Sequence, residues 1–253
     1  MSIFFNTAAG HRLVDGVNLV PEFIGRVTLG PTPMVTSDGA ESDYLSHSYS
    51  GRLPATNGQP YMVFWTFPVT DADIWWWPQD QFGFGGSALI YTGIVALHAA
   101  STPTPSVLPV GYVFSLGPVE ISSASMATRL WNSSGQLLFD SGKLHLALQQ
   151  VVSGLAVGYA ESSIELPGIV ANPAFLVPSI YRDRETYSRD APRASFTEWL
   201  ACYRRTGARI SSRMVLVNDF QVPPKQRGGY FEDQTYGNTS GLVLPVLDAS
   251  IYD

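Results

Sequence analysis

Apolar and polar residues alternate along this chain in short runs separated by turn-forming clusters, and the sharpest such signal lies in residues 127–148. There, apolar and aromatic residues flank Asn132-Ser133-Ser134-Gly135, where Gly135 can take the positive φ that a tight hairpin needs. The return strand over 136–140 meets a second breaker, Ser141-Gly142-Lys143. Leu144, Leu146 and Leu148 then resume a period of two, so the spacing predicts a β-meander with His145 on the outward face of its last strand.

The same signals extend the reading to the rest of the chain. Strand-like pieces stand at 3–5, 26–29, 61–67 and 214–217, with Asp15-Gly16 and Asn57-Gly58 as turns and 37–50 reading as a loop. Residues 151–159 read as a short strand pair broken at Ser153-Gly154 and Gly158, and 161–178 as a linker or crossing. Over 195–217, Phe196, Trp199, Leu200 and Tyr203 fit helical spacing, while Thr206-Gly207 fits a hairpin turn, which is the preferred reading. Tyr203-Arg204-Arg205-Thr206-Gly207 also repeats the aromatic-x-x-hydroxyl-Gly frame of Trp131–Gly135, a hint of duplication. Eighteen prolines punctuate the chain, and the longest proline-free intervals are 119–166, which holds the meander, and 193–222. The expected fold is all-β: an antiparallel β-sandwich with long irregular loops and extended termini, in one or two β domains. The candidate division is 1–175, a main sandwich, and 176–253, an Arg-rich β-hairpin region with an extended C-terminal arm described by Pro223-Pro224, Gly228-Gly229 and 236–241 and ending in 242–247.

The segment Leu130-Trp131-Asn132-Ser133-Ser134-Gly135-Gln136-Leu137-Leu138-Phe139-Asp140-Ser141 resembles a hairpin that recurs in tail-tip, baseplate and tail-fibre-associated proteins of tailed bacteriophages. In that hairpin an aromatic, an Asn or Asp, a small residue and Gly precede a short apolar strand ending in Asp-Ser or Asp-Thr. The resemblance implies a virion component and brings no catalytic residue set with it. Its partners would be other virion tail proteins and copies of itself, and the chain would be made and folded in the host bacterial cytoplasm before joining the tail.

Composition fits a subunit of an assembly. Charged residues make up 14% of the 253 positions, against roughly 25% in ordinary soluble domains, and 45% are hydrophobic. The single cysteine, Cys202, permits no intrachain disulfide and reads as a small core residue. The first residues lack the basic and apolar regions of a signal peptide. The most apolar stretch, 88–100, is about half the length of a membrane-spanning helix, so no membrane span is expected. The net charge of −6 is unevenly spread: residues 182–227 hold nine arginines and Lys225 against five acids, a balance of +5. Such polarity orients encounters with a charged neighbour; alternatively, these arginines form a solvated face with local acid partners. Two lysines in the whole chain and an acidic total argue against nucleic-acid binding.

Candidate contact residues cluster in two places. Asp71 and Asp73 precede Trp75-Trp76-Trp77, and consecutive side chains of a strand face opposite ways, so Trp75 and Trp77 share one face and Trp76 takes the other. The three indoles can be core, a subunit interface, or a stacking platform for host surface carbohydrate, the last making the chain a receptor-binding protein. Arg204, Arg205 and Arg209 form the second group. No histidine has a partner at metal-ligand spacing, no Gly-x-Ser-x-Gly elbow frames a serine, and the glycines at 83–86 lack phosphate-loop spacing. No cofactor, metal or catalytic residue is therefore expected. The carboxylate pairs Asp71/Asp73, Glu161/Glu165 and Asp183/Glu185 keep a glycan hydrolase open as a third reading.

Overall fold

A computed structural model describes residues 5–6, 12–14, 20–30, 34–35, 44–79, 82–84, 91–166, 168, 170–186, 194–222, 231–236 and 241–253. Two antiparallel sheets dominate. The first runs in the order Leu148–Leu155, Leu242–Asp248, Pro173–Phe175, Pro60–Thr66, Val110–Ser115, Glu22–Thr28, with Phe82–Phe84 alongside Pro60–Thr66. The second runs Ser162–Glu165, Arg209–Val222, Ala194–Thr206, Ile74–Gln79, Tyr91–Ala99, Tyr44–Arg52, Met34–Val35. The far edge of Ala194–Thr206 is shared: Tyr181–Thr186 pairs with its first half, and Tyr203 opposes Trp76 in its second. The sole helical piece among the described residues is a 3-10 turn, Ala249–Ile251. None is long and apolar enough to cross a membrane.

The sheets pack face to face on a core to which both contribute. Val63, Trp65, Val113, Leu244 and Val246 come from the first, and Tyr49, Trp76, Ile94, Ala201 and Tyr203 from the second. Each sheet also carries an apolar outer layer. On the first it gathers Phe64, Tyr112, Phe114, Leu247 and Tyr252, and on the second Trp75, Val95, Leu97, Leu200, Cys202 and Val215. A strand buried on both faces needs bulky apolar residues at consecutive positions, which accounts for the unbroken runs through 61–65 and 74–77. The sheets approach closely at Gly51, where a Cβ would lie 2.6 Å from the Thr28 carbonyl oxygen.

Several expectations need correction. The boundary at 175/176 separates no sheets, because the first sheet places Leu242–Asp248 between Leu148–Leu155 and Pro173–Phe175, and the second joins Ala194–Thr206 to Ile74–Gln79. The end of the expected C-terminal arm is thus an internal strand of the first sheet, its Leu242, Leu244 and Val246 pointing into the core, while 223–230 and 237–240 lie outside the described residues. Tyr44–Arg52 is a full strand paired with Tyr91–Ala99, although its serines and histidine read as loop. The meander ends after two strands: Arg129–Trp131 and Leu137–Asp140 form their own small sheet, and the chain then crosses to Glu22 and enters the first sheet at Leu148. His145 accordingly turns inward, its ring stacked on Phe139 at 4.6 Å. Residues 151–159 supply one strand rather than two, with Gly154 at φ +91° where the register shifts. The linker region contributes strands Ser162–Glu165 and Pro173–Phe175. The hairpin reading of 195–217 holds, with Gly207 at φ +56° between Ala194–Thr206 and Arg209–Val222. The repeated frame thus marks two hairpin tips. The turn at Asp15-Gly16 and most of the 37–50 loop assignment before Tyr44 lie outside the described residues.

Candidate functional site

Strand alternation places the three tryptophans as expected from the two-residue period. Trp76 enters the inter-sheet core at 1% exposure, Trp75 is 0% exposed on the outer layer, and Trp77 lies partly buried beside it. The core reading therefore describes Trp75 and Trp76, and neither offers an open ring face to a sugar or a neighbour.

Around Trp75 the structure assembles an ion-pair cluster. Register sets Arg204 next to Trp75, since the neighbouring pair is Tyr203 with Trp76. The Arg204 guanidinium lies 4.5 Å from the Trp75 ring centroid and that of Arg213 lies 4.4 Å from it, a cation–π arrangement. Asp73 Oδ1 accepts from Trp75 Nε1 at 2.7 Å and from Arg204 at 3.3 Å, and Oδ2 accepts from the Tyr44 hydroxyl at 2.5 Å. Arg213 also donates to the Tyr44 hydroxyl. Arg204 bonds both oxygens of Glu161, at 3.2 and 3.0 Å. Partial burial raises the proton affinity of Asp73, but the hydrogen bonds from Tyr44 and Trp75 and the two guanidiniums outweigh it and hold the carboxyl below its ordinary range. Asp73 is thus an engaged anion, unsuited to deliver a proton.

The remaining nominated residues are dispersed. Asp71 is exposed on the bend before the strand. Arg209 pairs with Glu165 at 2.6 Å on the surface, so the solvated-face reading describes Arg209; Arg204 also has acid partners, Glu161 and Asp73, but packs on Trp75 with 18% of its side chain exposed. Arg205 instead lines an open recess of about 350 Å³ with Val69, Leu166, Val170 and Pro173, its Nε donating to the Gly207 carbonyl. Side chains of Asp183 and Glu185 lie outside the described residues. Tyr44 and Arg213 complete the cluster and were missed; the even spacing of Arg209, Ser211 and Arg213 on one strand was the available signal for the second. Among the described residues no three metal-ligating side chains gather.

The hairpin at 129–140 is the second candidate. Its turn is built from one side chain: Asn132 Oδ1 accepts from Ser134 N at 3.1 Å, Ser134 Oγ at 2.7 Å and Gln136 N at 2.9 Å. Gly135 sits at φ +83°, as a tight turn requires. At the other end Asp140 is wholly buried and fully engaged. It accepts from Ser122 N, Ser122 Oγ, Arg129 Nε and Gly142 N, all between 2.8 and 3.0 Å. Burial opposes the charge, yet these bonds hold the carboxyl well below the carboxylate range. Arg129 extends the tie to the Ser122 and Ala124 carbonyls, and Ser141 Oγ accepts from Thr128 N at 2.8 Å. The hairpin and the preceding 116–128 segment are therefore pinned together. From this pinned unit Trp131, at 50% exposure, Met126, at 91%, and Ile121 face solvent.

The fold and these sites define an antiparallel β-sandwich with an internally neutralised Arg/Trp cluster and a rigid hairpin that presents apolar side chains. No protein-family model, no curated protein and no solved structure matches the chain.

Proposed function

We propose that this chain is a structural component of a bacteriophage virion, at the tail baseplate or tail tip, acting through protein–protein contacts and not through turnover. The observation that carries the reading is the hairpin at 129–140. Its residues resemble the tail-protein hairpin, and each recurrent feature has a mechanical purpose: Asn132 and Gly135 make the turn, and Asp140-Ser141 ties its base to 122–128. A hairpin held this way displays Trp131 at little ordering cost, and an exposed aromatic on a rigid support is the usual anchor of a protein interface. Receptor recognition through Trp75–Trp77 would have only the partly buried Trp77 to work with, so contact at the half-exposed Trp131 is the stronger reading.

The test is particle incorporation. Wild-type chain supplied in trans is expected to sediment with intact virions, and Trp131→Ala, which touches a half-exposed side chain, is expected to fold normally and remain in the unassembled fraction. A wild-type chain that stays free of particles throughout infection would overturn the reading. Incorporation of the variant at wild-type level, with failure to adsorb, would move Trp131 from subunit contact to receptor contact.

A further inference from the structure

A sheet edge exposes unpaired main-chain groups, and proteins ordinarily shield it with charge, a cover or a short strand. Two of the edges described here are shielded. Along Glu22–Thr28, Glu22 is paired with Lys143 at 2.9 Å, Phe23 N donates to the Leu144 carbonyl and Leu146 N donates to the Pro21 carbonyl. Ser162–Glu165 is short and is flanked by the ion pairs of Glu161 and Glu165. The edge strand Leu148–Leu155 is longer, at eight residues, and among the described residues it has neither charge nor a cover at Val151. No Asp, Glu, Lys or Arg occurs anywhere in 144–160, and Leu148, Gln149, Val151 and Ser153 are exposed.

The direction of its main-chain groups follows from one proline. Val151 stands opposite Pro245 in the ladder. Pro245 has no N–H, and its carbonyl accepts from Leu176 N at 3.0 Å on the other side of the strand. The Val151–Pro245 pair is therefore a non-hydrogen-bonded pair, and in an antiparallel ladder such a residue turns its own N–H and C=O toward its other neighbour. For Val151 that neighbour is the open edge. Its side chain points to the outer face, 56% exposed, beside Val243 at 60%. Register shifts at 148–150 and 153–155 bound the regular segment on either side.

We infer that this edge pairs with the same edge of a second copy of the chain, antiparallel, about a two-fold axis through Val151. This deepens, and for its setting rests on, the reading of the chain as an assembly subunit. Identical edges meet without like-charge contacts because neither carries a charge, although the whole chain is at −6. With Val151 on the axis, the two Val151 residues exchange both main-chain hydrogen bonds, Gln150 opposes Val152 of the copy, and the two exposed valine side chains meet on one face. The segment is short, so the pair is weak alone and gains from the many copies of an assembly.

Sedimentation velocity of the full chain over a concentration series reaching about 1 mM, the weak end of specific association, reads the pairing. Wild type is expected to shift from monomer to dimer. Val151→Lys and Val151→Glu each place like charges across the axis and are expected to remain monomeric, at least tenfold weaker in self-association. An equimolar mixture of the two variants is expected to form a heterodimer, since Lys then faces Glu, which also shows that both variants fold. A wild type monomeric throughout, or a Val151→Lys chain that dimerises like wild type, would overturn the inference, and a mixture that stays monomeric would overturn the register. Self-association and particle incorporation can fail independently, so neither result stands in for the other.

Discussion

Asp140 and His47 are both buried and carry opposite charge habits. Asp140 is a satisfied anion among four donors. His47 lies 4.9 Å from the His98 ring, its Nδ1 and the Nε2 of His98 without hydrogen-bond partners. Burial, and then the neighbouring imidazole, push the His47 proton affinity down. Each group therefore binds protons less readily folded than unfolded, and each loses its contribution as pH falls. For His47 the loss begins below about 6.5, and for Asp140 below about 3.9. Stability against pH should thus decline in two stages. His47→Phe should flatten the upper stage and Asp140→Asn should weaken the lower one in urea unfolding at a series of pH values; an unchanged profile in both would contradict these environments. The chemistry of Asp140 was legible in its Asp-Ser frame only as a strand ending. Its partners at Ser122 and Arg129 come from loop geometry that no periodicity encodes.

At the scale of elements, turns were read correctly where glycine or asparagine must adopt positive φ, as at Asn57-Gly58, Gly135 and Gly207. Strands were read where bulk or alternation was strong. Tyr44–Arg52 escaped because serine and histidine occupy positions that face its neighbours, and burial of Ser46, His47 and Tyr49 is supplied by packing rather than by hydropathy. The same strand carries Gly51, where the first sheet leaves no room for a side chain. Gly51→Ala would place its methyl 2.6 Å from both the Thr28 carbonyl oxygen and Val27 Cγ1. Because one of these is backbone, the strands must separate, and the expected cost is about 1–3 kcal/mol in urea-induced unfolding. A stability equal to wild type would show that the two strands lie farther apart there.

For the whole molecule, the uneven charge proved partly local: Arg204 and Arg209 are balanced by Glu161 and Glu165, which the sequence presents some 40 positions earlier. Long-range pairing of this kind is invisible to a sum over segments. The high apolar content was legible in the composition but its placement was not: much of it fills three layers, core and both outer faces, with Trp131, Met126, Ile121 and the Val151 edge among the large apolar groups left exposed. On the function proposed above, Trp131, Met126, Ile121 and the Val151 edge dock the chain into a phage tail. Gold-labelled antibody against the chain, imaged on intact particles from the source that encodes it, tests this most directly. Label is expected at the distal end of the tail; label on the capsid would contradict the baseplate assignment, and particles without label, with antigen abundant in the cells and its accessibility on particles established, would contradict the virion reading itself.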